Sequence, residues 1–163
     1  VYDNTPIGGT DEALIDYIID TNLKGSFRMI NAIAPGMKDR RRGKIVNFSS
    51  INAHVGVEKQ SLYGASKAGI ELMTRAMARE LAPYDVNINS VAPGATKTPM
   101  NEPLRTLPEH KEVLDAFVSN TPSNTTFSDP VDIARMVVYL ATDDARPMHG
   151  SSILMDEGVA AGI

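Results

Sequence analysis

Hydrophobic positions in the first part of the chain recur at helical spacing, through Ala13, Leu14, Tyr17, Ile18, Leu23, Phe27, Ile30 and Ile33. This is the three-and-four rhythm of an amphipathic helix. Asp11, Glu12 and Asp16 place acid in its first turns, Thr10 precedes it as an N-cap, and Pro35-Gly36 predicts a kink or an end. Gly43 then opens a short strand over 44–49, and a second long helix is expected from about Ser61 to Ala82, stopped by Pro83. Val86-Asn87-Ile88-Asn89-Ser90-Val91 reads as the next strand, closed by Pro93-Gly94. Pro99, Pro103, Pro108 and Pro122 interrupt the region 99–128, where only the stretch around Glu109 to Ser119 reads as helical. That region is expected to be a mobile lid. Asp129 as N-cap and Pro130 at the first helical position begin a further helix through Ile133, Met136, Val137 and Leu140, and Ser152-Ile153-Leu154-Met155 is a last strand. Helices alternating with strands require crossovers between parallel strands, hence an α/β layered fold in one domain spanning 1–163.

The two long helices carry apolar sets wider than one core-facing stripe. The pattern expects Ala65, Ala68, Leu72 and Ala76 against the sheet, with Ile70, Met73, Met77 and Leu81 extending the surface towards a second partner. Three strands make a thin sheet for such helices. A doubly wound domain normally opens with a nucleotide-binding half whose first strand ends in a glycine-rich turn. No two glycines here are separated by a single residue, so G-x-G-x-x-G occurs nowhere in the chain. The chain also opens at Val1 in a Tyr2-Asp3-Asn4-Thr5-Pro6 loop, and the expectation is that a preceding segment belongs to the whole protein.

Charge narrows the function classes. Sixteen basic against 20 acidic residues give a net charge of −4, which argues against general nucleic-acid binding. The basic cluster Lys38, Arg40, Arg41, Arg42 and Lys44 reads as a solvated helix-to-strand turn. With no cysteine, thiolate nucleophiles and disulfides are excluded, and His54, His110 and His149 lack metal-ligand spacing, so no metal site is expected. No apolar run approaches the ~20 residues of a membrane span. A cytoplasmic protein is the expectation.

The candidate chemistry lies in Tyr63-Gly64-Ala65-Ser66-Lys67, with Ser50 thirteen residues before the tyrosine. On a helix Tyr63 and Lys67 share one face. A free phenol titrates near pH ~10, so service as a base near neutrality requires roughly 3 to 4 kcal/mol of stabilisation of the phenolate. A lysine charge about 4 Å away at an effective dielectric of ~20 supplies about 4 kcal/mol. The magnitudes match, and the pair predicts a tyrosine acid/base.

With these motifs in order, the chain resembles the C-terminal two thirds of a short-chain dehydrogenase/reductase. Tyr63 and Lys67 fit the family's Y-x-x-x-K, Ser50 its catalytic serine, and Asn22 in Asp20-Thr21-Asn22-Leu23-Lys24-Gly25 the asparagine of its long helix. Pro93-Gly94 followed by Thr98 fits the cofactor-side P-G-x-x-x-T. Asp156-Glu157-Gly158 departs from the commoner Asp-Gly-Gly, a change expected to touch a turn or a subunit contact. The run Pro93 to Asn101 is most similar to glucose dehydrogenases and other sugar or polyol members.

The resemblance implies a Rossmann-like doubly wound parallel sheet whose nucleotide-binding half is absent from this chain. It implies an NAD- or NADP-dependent oxidoreductase acting on a small alcohol or carbonyl compound, with 99–128 as substrate lid. Tyr63 would exchange the proton, Lys67 would lower the tyrosine pKa and hold the nicotinamide ribose, and Ser50 would hydrogen-bond the substrate oxygen. Asn22 would hold a water beside Lys67, while Pro93, Gly94 and Thr98 would meet the nicotinamide end. The family's equivalent helices pair into a four-helix interface, implying a homodimer or homotetramer. An alternative from another class is a truncated, non-catalytic homologue that uses its helices for association.

Overall fold

A computed structural model describes residues 1–162. The long N-terminal helix is continuous but not uniform. It consists of α1 (Glu12–Ile19), a π-helical turn (Asp20–Lys24) and α2 (Gly25–Asp39). The Asp11 carboxylate, not the Thr10 hydroxyl, caps it by accepting from Leu14 N at 2.8 Å, while Thr10 donates to the Pro6 carbonyl. Pro35 does not end the helix, which continues to Asp39. The last turn is held instead by tertiary packing, since Ala34 and Met37 lie against the buried core.

Three parallel strands follow, β1 (Gly43–Phe48), β2 (Val86–Pro93) and β3 (Ser152–Met155), in spatial order β1-β2-β3. Between β1 and β2 runs α3 (Ser61–Leu81), and between β2 and β3 lie α4 (Glu102–Thr106), α5 (Lys111–Asn120) and α6 (Pro130–Ala141). The sequence reading missed α4, which is only five residues long. Strand alternation divides the core. Ile45, Val86 and Ile88 meet α2 and α3 through Ile30, Ala78 and Leu81 on one face. On the other, Val46, Val91 and Ile153 meet α6 through Ile133 and Leu140. Helices thus cover both faces of a parallel sheet, the doubly wound arrangement.

The face of α3 that meets the sheet differs from the expected one. Ser66, Ile70, Thr74, Ala78 and Leu81 are buried, whereas Leu72 is 66% exposed. Polar Ser66 and Thr74 tolerate burial because their hydroxyls donate to the backbone carbonyls of Tyr63 and Ile70, each at 2.7 Å. Met73 and Met77 pack partly against the core rather than standing free. On α1 and α2, Ile18 and Ile30 are buried, and Phe27, Met29 and Ile33 are exposed.

The strands end together at one edge, where β2 turns away at Pro93-Gly94. Gly94 N donates to Met155 O at 2.8 Å, and a Cβ on Gly94 would stand 2.8 Å from the Asp156 Cα. Only a glycine permits this approach between backbones. Gly94→Ala in the full-length polypeptide is expected to cost roughly 1–3 kcal/mol through overpacking, measured by urea unfolding.

Candidate active site

Residues from three chain segments converge at the carboxyl ends of the strands. Ser49 and Ser50 leave β1, Pro93 and Gly94 end β2, and Tyr63 and Lys67 project from the first turns of α3. Together with Thr98, Asn101 and Ile133 they line a cleft of about 560 Å³. Ser50, Tyr63, Lys67, Pro93, Gly94 and Thr98, all singled out from sequence, therefore share one cavity. Asn22 does not line it.

Local structure fixes each group. The Lys67 ammonium donates to the Phe48 carbonyl at 2.9 Å, and the Ser49 hydroxyl donates to the Lys67 carbonyl at 3.1 Å, so helix and strand end are tied in both directions. Ser50 is buried at the N-cap of a short 3-10 turn (Ile51–Ala53), where its hydroxyl accepts from Asn52 N at 3.2 Å. Gly64 lets this turn lie against α3, because a Cβ there would meet the Asn52 carbonyl at 2.8 Å. Thr98 is positioned by Asn101, whose Oδ1 accepts from Thr98 N at 3.2 Å and whose Nδ2 donates to Thr96 O at 2.7 Å.

Asn22 lies behind the cleft. Its Nδ2 donates to Ser66 Oγ at 3.1 Å and to the Val1 carbonyl at 2.9 Å, and its own carbonyl accepts the Ser26 hydroxyl at 2.7 Å. It occupies the middle of the π-helical turn, a local widening that is frequent at functional sites. The structure thus links Asn22 to the residue before Lys67, not to the lysine itself.

The electrostatics differ from the expectation in one respect. The Tyr63 phenol is held above its ordinary value, chiefly because burial disfavours the phenolate, with hydrogen bonding from Ser50 acting the other way and Tyr2 adding to the rise. The Lys67 ammonium lies 5.7 Å from the centre of the Tyr63 ring and spends its hydrogen bond on Phe48 O. Burial also lowers the pKa of Lys67. Burial is thus the leading cause of both shifts in this arrangement.

Two features were not read from sequence. Asn101 has no motif of its own. Glu71 is 5% exposed on α3, with the His54 Nε2 at 2.9 Å and an Arg75 guanidinium nitrogen at 3.6 Å. His54 follows the Ser50 turn directly, so this contact joins the serine's segment to the helix that carries Tyr63 and Lys67. A charged residue on a sheet-facing helix was the available signal.

Comparison with known proteins agrees with the geometry. The sequence profile described as enoyl-(acyl carrier protein) reductase matches residues 2–160. The D-xylose 1-dehydrogenase of Caulobacter vibrioides is 38% identical over 143 residues, covering 88% of this chain and 56% of that protein. A putative short-chain alcohol dehydrogenase from Sinorhizobium meliloti superimposes with a TM-score of 0.91 at 34% identity, over 100% of this chain and 63% of that one. A 4-hydroxyisoleucine dehydrogenase complexed with NADH and succinate gives 0.88 at 27% identity, over 99% and 65%. The chain belongs to the short-chain dehydrogenase/reductase family, and spans little more than half the length of the curated relative. No helix among the described residues is long and apolar enough to cross a membrane.

Removing one partner of a buried polar contact leaves the other without compensation. His54→Ala in the full-length polypeptide is expected to lower stability by roughly 1–3 kcal/mol, read from urea unfolding, while Arg75→Ala, which removes only an exposed and longer contact, should change it by less than about 1 kcal/mol.

Proposed function

We propose that this chain is the catalytic and C-terminal portion of an NAD- or NADP-dependent oxidoreductase that interconverts an alcohol and its ketone or aldehyde. The convergence of Ser50, Tyr63 and Lys67 on one cleft carries the reading. The run Pro93 to Asn101 suggests a sugar or polyol substrate, but the relatives include a cyclopentanol and a hydroxysteroid dehydrogenase beside the D-xylose 1-dehydrogenase, so the substrate class has to be read from the site itself. A non-catalytic association module would have no use for a half-buried tyrosine and lysine facing a common cavity. The enzyme we propose is cytoplasmic; no helix among the described residues is long and apolar enough to cross a membrane.

The residues present fit the nicotinamide end of such a cofactor. Phe48, Pro93 and Ile133 offer apolar surface to a ring, while Lys67 and Thr98 offer hydrogen-bonding groups to ribose and carboxamide. When bound, the cofactor supplies the hydride acceptor or donor. Ser50 orients the substrate oxygen by a hydrogen bond. Tyr63 takes the hydroxyl proton during oxidation and returns it during reduction. Lys67 helps retain the cofactor ribose and moderates the cost of the phenolate. Asn22, through Ser66, secures the first turns of α3, and a water held beside Lys67 would complete the route for proton exchange. The segment 99–128 acts as the lid over the substrate.

The raised phenol pKa sets a direction for pH. Oxidation needs the phenolate, so its kcat/KM should climb by about tenfold per pH unit until the phenol ionises, whereas reduction uses the neutral phenol and should hold level through neutrality. Tyr63→Phe should lower turnover by about 10²–10⁴-fold while leaving cofactor affinity, measured by calorimetry, intact. Full turnover in that variant would assign the proton transfer elsewhere.

The assembly we propose is a homodimer or homotetramer built on the exposed apolar faces of α2 and α3, where Phe27, Met29, Ile33 and Leu72 stand out. Light scattering of the full-length protein at micromolar concentration should return a dimer or tetramer, and Leu72→Glu should shift the population towards monomer.

A further inference from the structure

A second cavity of about 510 Å³ adjoins the catalytic cleft, and its chemistry differs from that of a sugar site. Ala95 lines both cavities, and the boundary falls between Ser50, which faces the first, and Ile51, which faces the second. A substrate whose reacting carbon sits at Ser50 and Tyr63 therefore has this space as its continuation. Val55 and Val57 form one side, and Val113 and Phe117 from the lid helix α5 form the other. The Phe117 ring is stacked on Phe127 at 6.3 Å between centroids and 16° between planes, and Phe127 is itself buried, so the wall has a fixed backing.

Five polar side chains also line the cavity, Asn52, Gln60, Asn120, Thr121 and Thr126, and three of them already donate to other groups. The Asn52 amide donates to Gln60 Oε1, the Gln60 amide donates to the Tyr2 hydroxyl at 2.7 Å, and the Thr121 hydroxyl donates to Phe117 O at 2.7 Å. Substrate hydroxyls entering here would give up water for a wall that is mainly Ile, Val, Ala and Phe, with Asn120 and Thr126 the polar side chains left to meet them. An apolar body would exchange water for Val and Phe surface and cover side chains that otherwise stand open, with Val113 50% and Phe117 42% exposed.

We propose that the second cavity selects an alcohol or ketone with an apolar ring or chain attached to the reacting carbon, in preference to a polyol or sugar. This rests on the oxidoreductase reading and deepens it by naming the substrate class. Phe117 and Val113 are the specificity-determining residues, and neither takes part in proton transfer.

The test compares carbon rings that differ in hydroxylation. The full-length protein is assayed with NAD and NADP against cycloalkanols from cyclopentanol to cyclooctanol, and against myo-inositol and D-xylose. The cycloalkanols should give kcat/KM values at least about a hundredfold higher. Val113→Thr keeps the side-chain shape and adds a hydroxyl, so it should narrow that preference several-fold through KM, with the melting temperature nearly unchanged. Phe117→Ser should narrow it further. Equal or better use of myo-inositol or D-xylose overturns the inference and leaves the oxidoreductase reading standing. A preference unaltered in both variants overturns the assignment of this cavity. Failure to turn over either class with either cofactor overturns the underlying reading, and the inference with it.

Discussion

The packing of α3 on the ends of β1 and β2 is the contact on which the site depends. One row of the helix, Ser66, Ile70, Thr74, Ala78 and Leu81, is buried against the sheet side of the molecule, and Tyr63 and Lys67 stand at its amino end. A helix held along five positions cannot rotate without breaking the core, so the direction in which phenol and ammonium point is set by residues far from the chemistry. The bonds between Lys67 and Phe48, and between Ser49 and Lys67, then fix the axial position. Ser50 is carried on the same strand end. The geometry of the proposed site is thus a property of a helix-sheet interface.

Much of this was legible in the chain because its signals are local. Strand limits followed from β-branched runs bounded by glycine and proline, and the Tyr63 and Lys67 spacing followed from helical geometry alone. What escaped was decided by tertiary context. Pro35 reads as a terminator, yet the packing of Met37 carries the helix past it. The expected sheet-facing set was Ala65, Ala68, Leu72 and Ala76, yet Ser66 and Thr74 lie on the buried face because their hydroxyls are satisfied within the helix. The π-helical turn at Asn22 has no pattern of its own, because a widened turn registers only as a shift in which side chains reach the neighbouring helix.

The tyrosine illustrates the limit of pairwise reasoning. Spacing placed an ammonium near a phenol, and Coulomb's law made the expected shift downward. Burial acts on both groups at once, disfavouring each charged form, while the lysine's hydrogen bond is made to Phe48 O. The sign of a pKa shift is a sum over environment, and the environment was not in the motif.

At the end of β3, Glu157 adopts a left-handed backbone with φ of 58°, a conformation that ordinarily favours glycine. Its carboxylate accepts the hydroxyls of Ser128 and Ser123, each at 2.7 Å, and these bonds hold its pKa below the ordinary carboxylate range. The backbone discomfort at one residue is thereby exchanged for an anchor on the segment that leads from α5 to α6. A glycine at 157 would relax the turn but remove the carboxylate from both serines, leaving the Ser123 hydroxyl only its contacts with Thr125. The left-handed turn and the two serine hydroxyls thus act as one fastening, in which the side chain at 157 ties positions 123 and 128 to the end of β3.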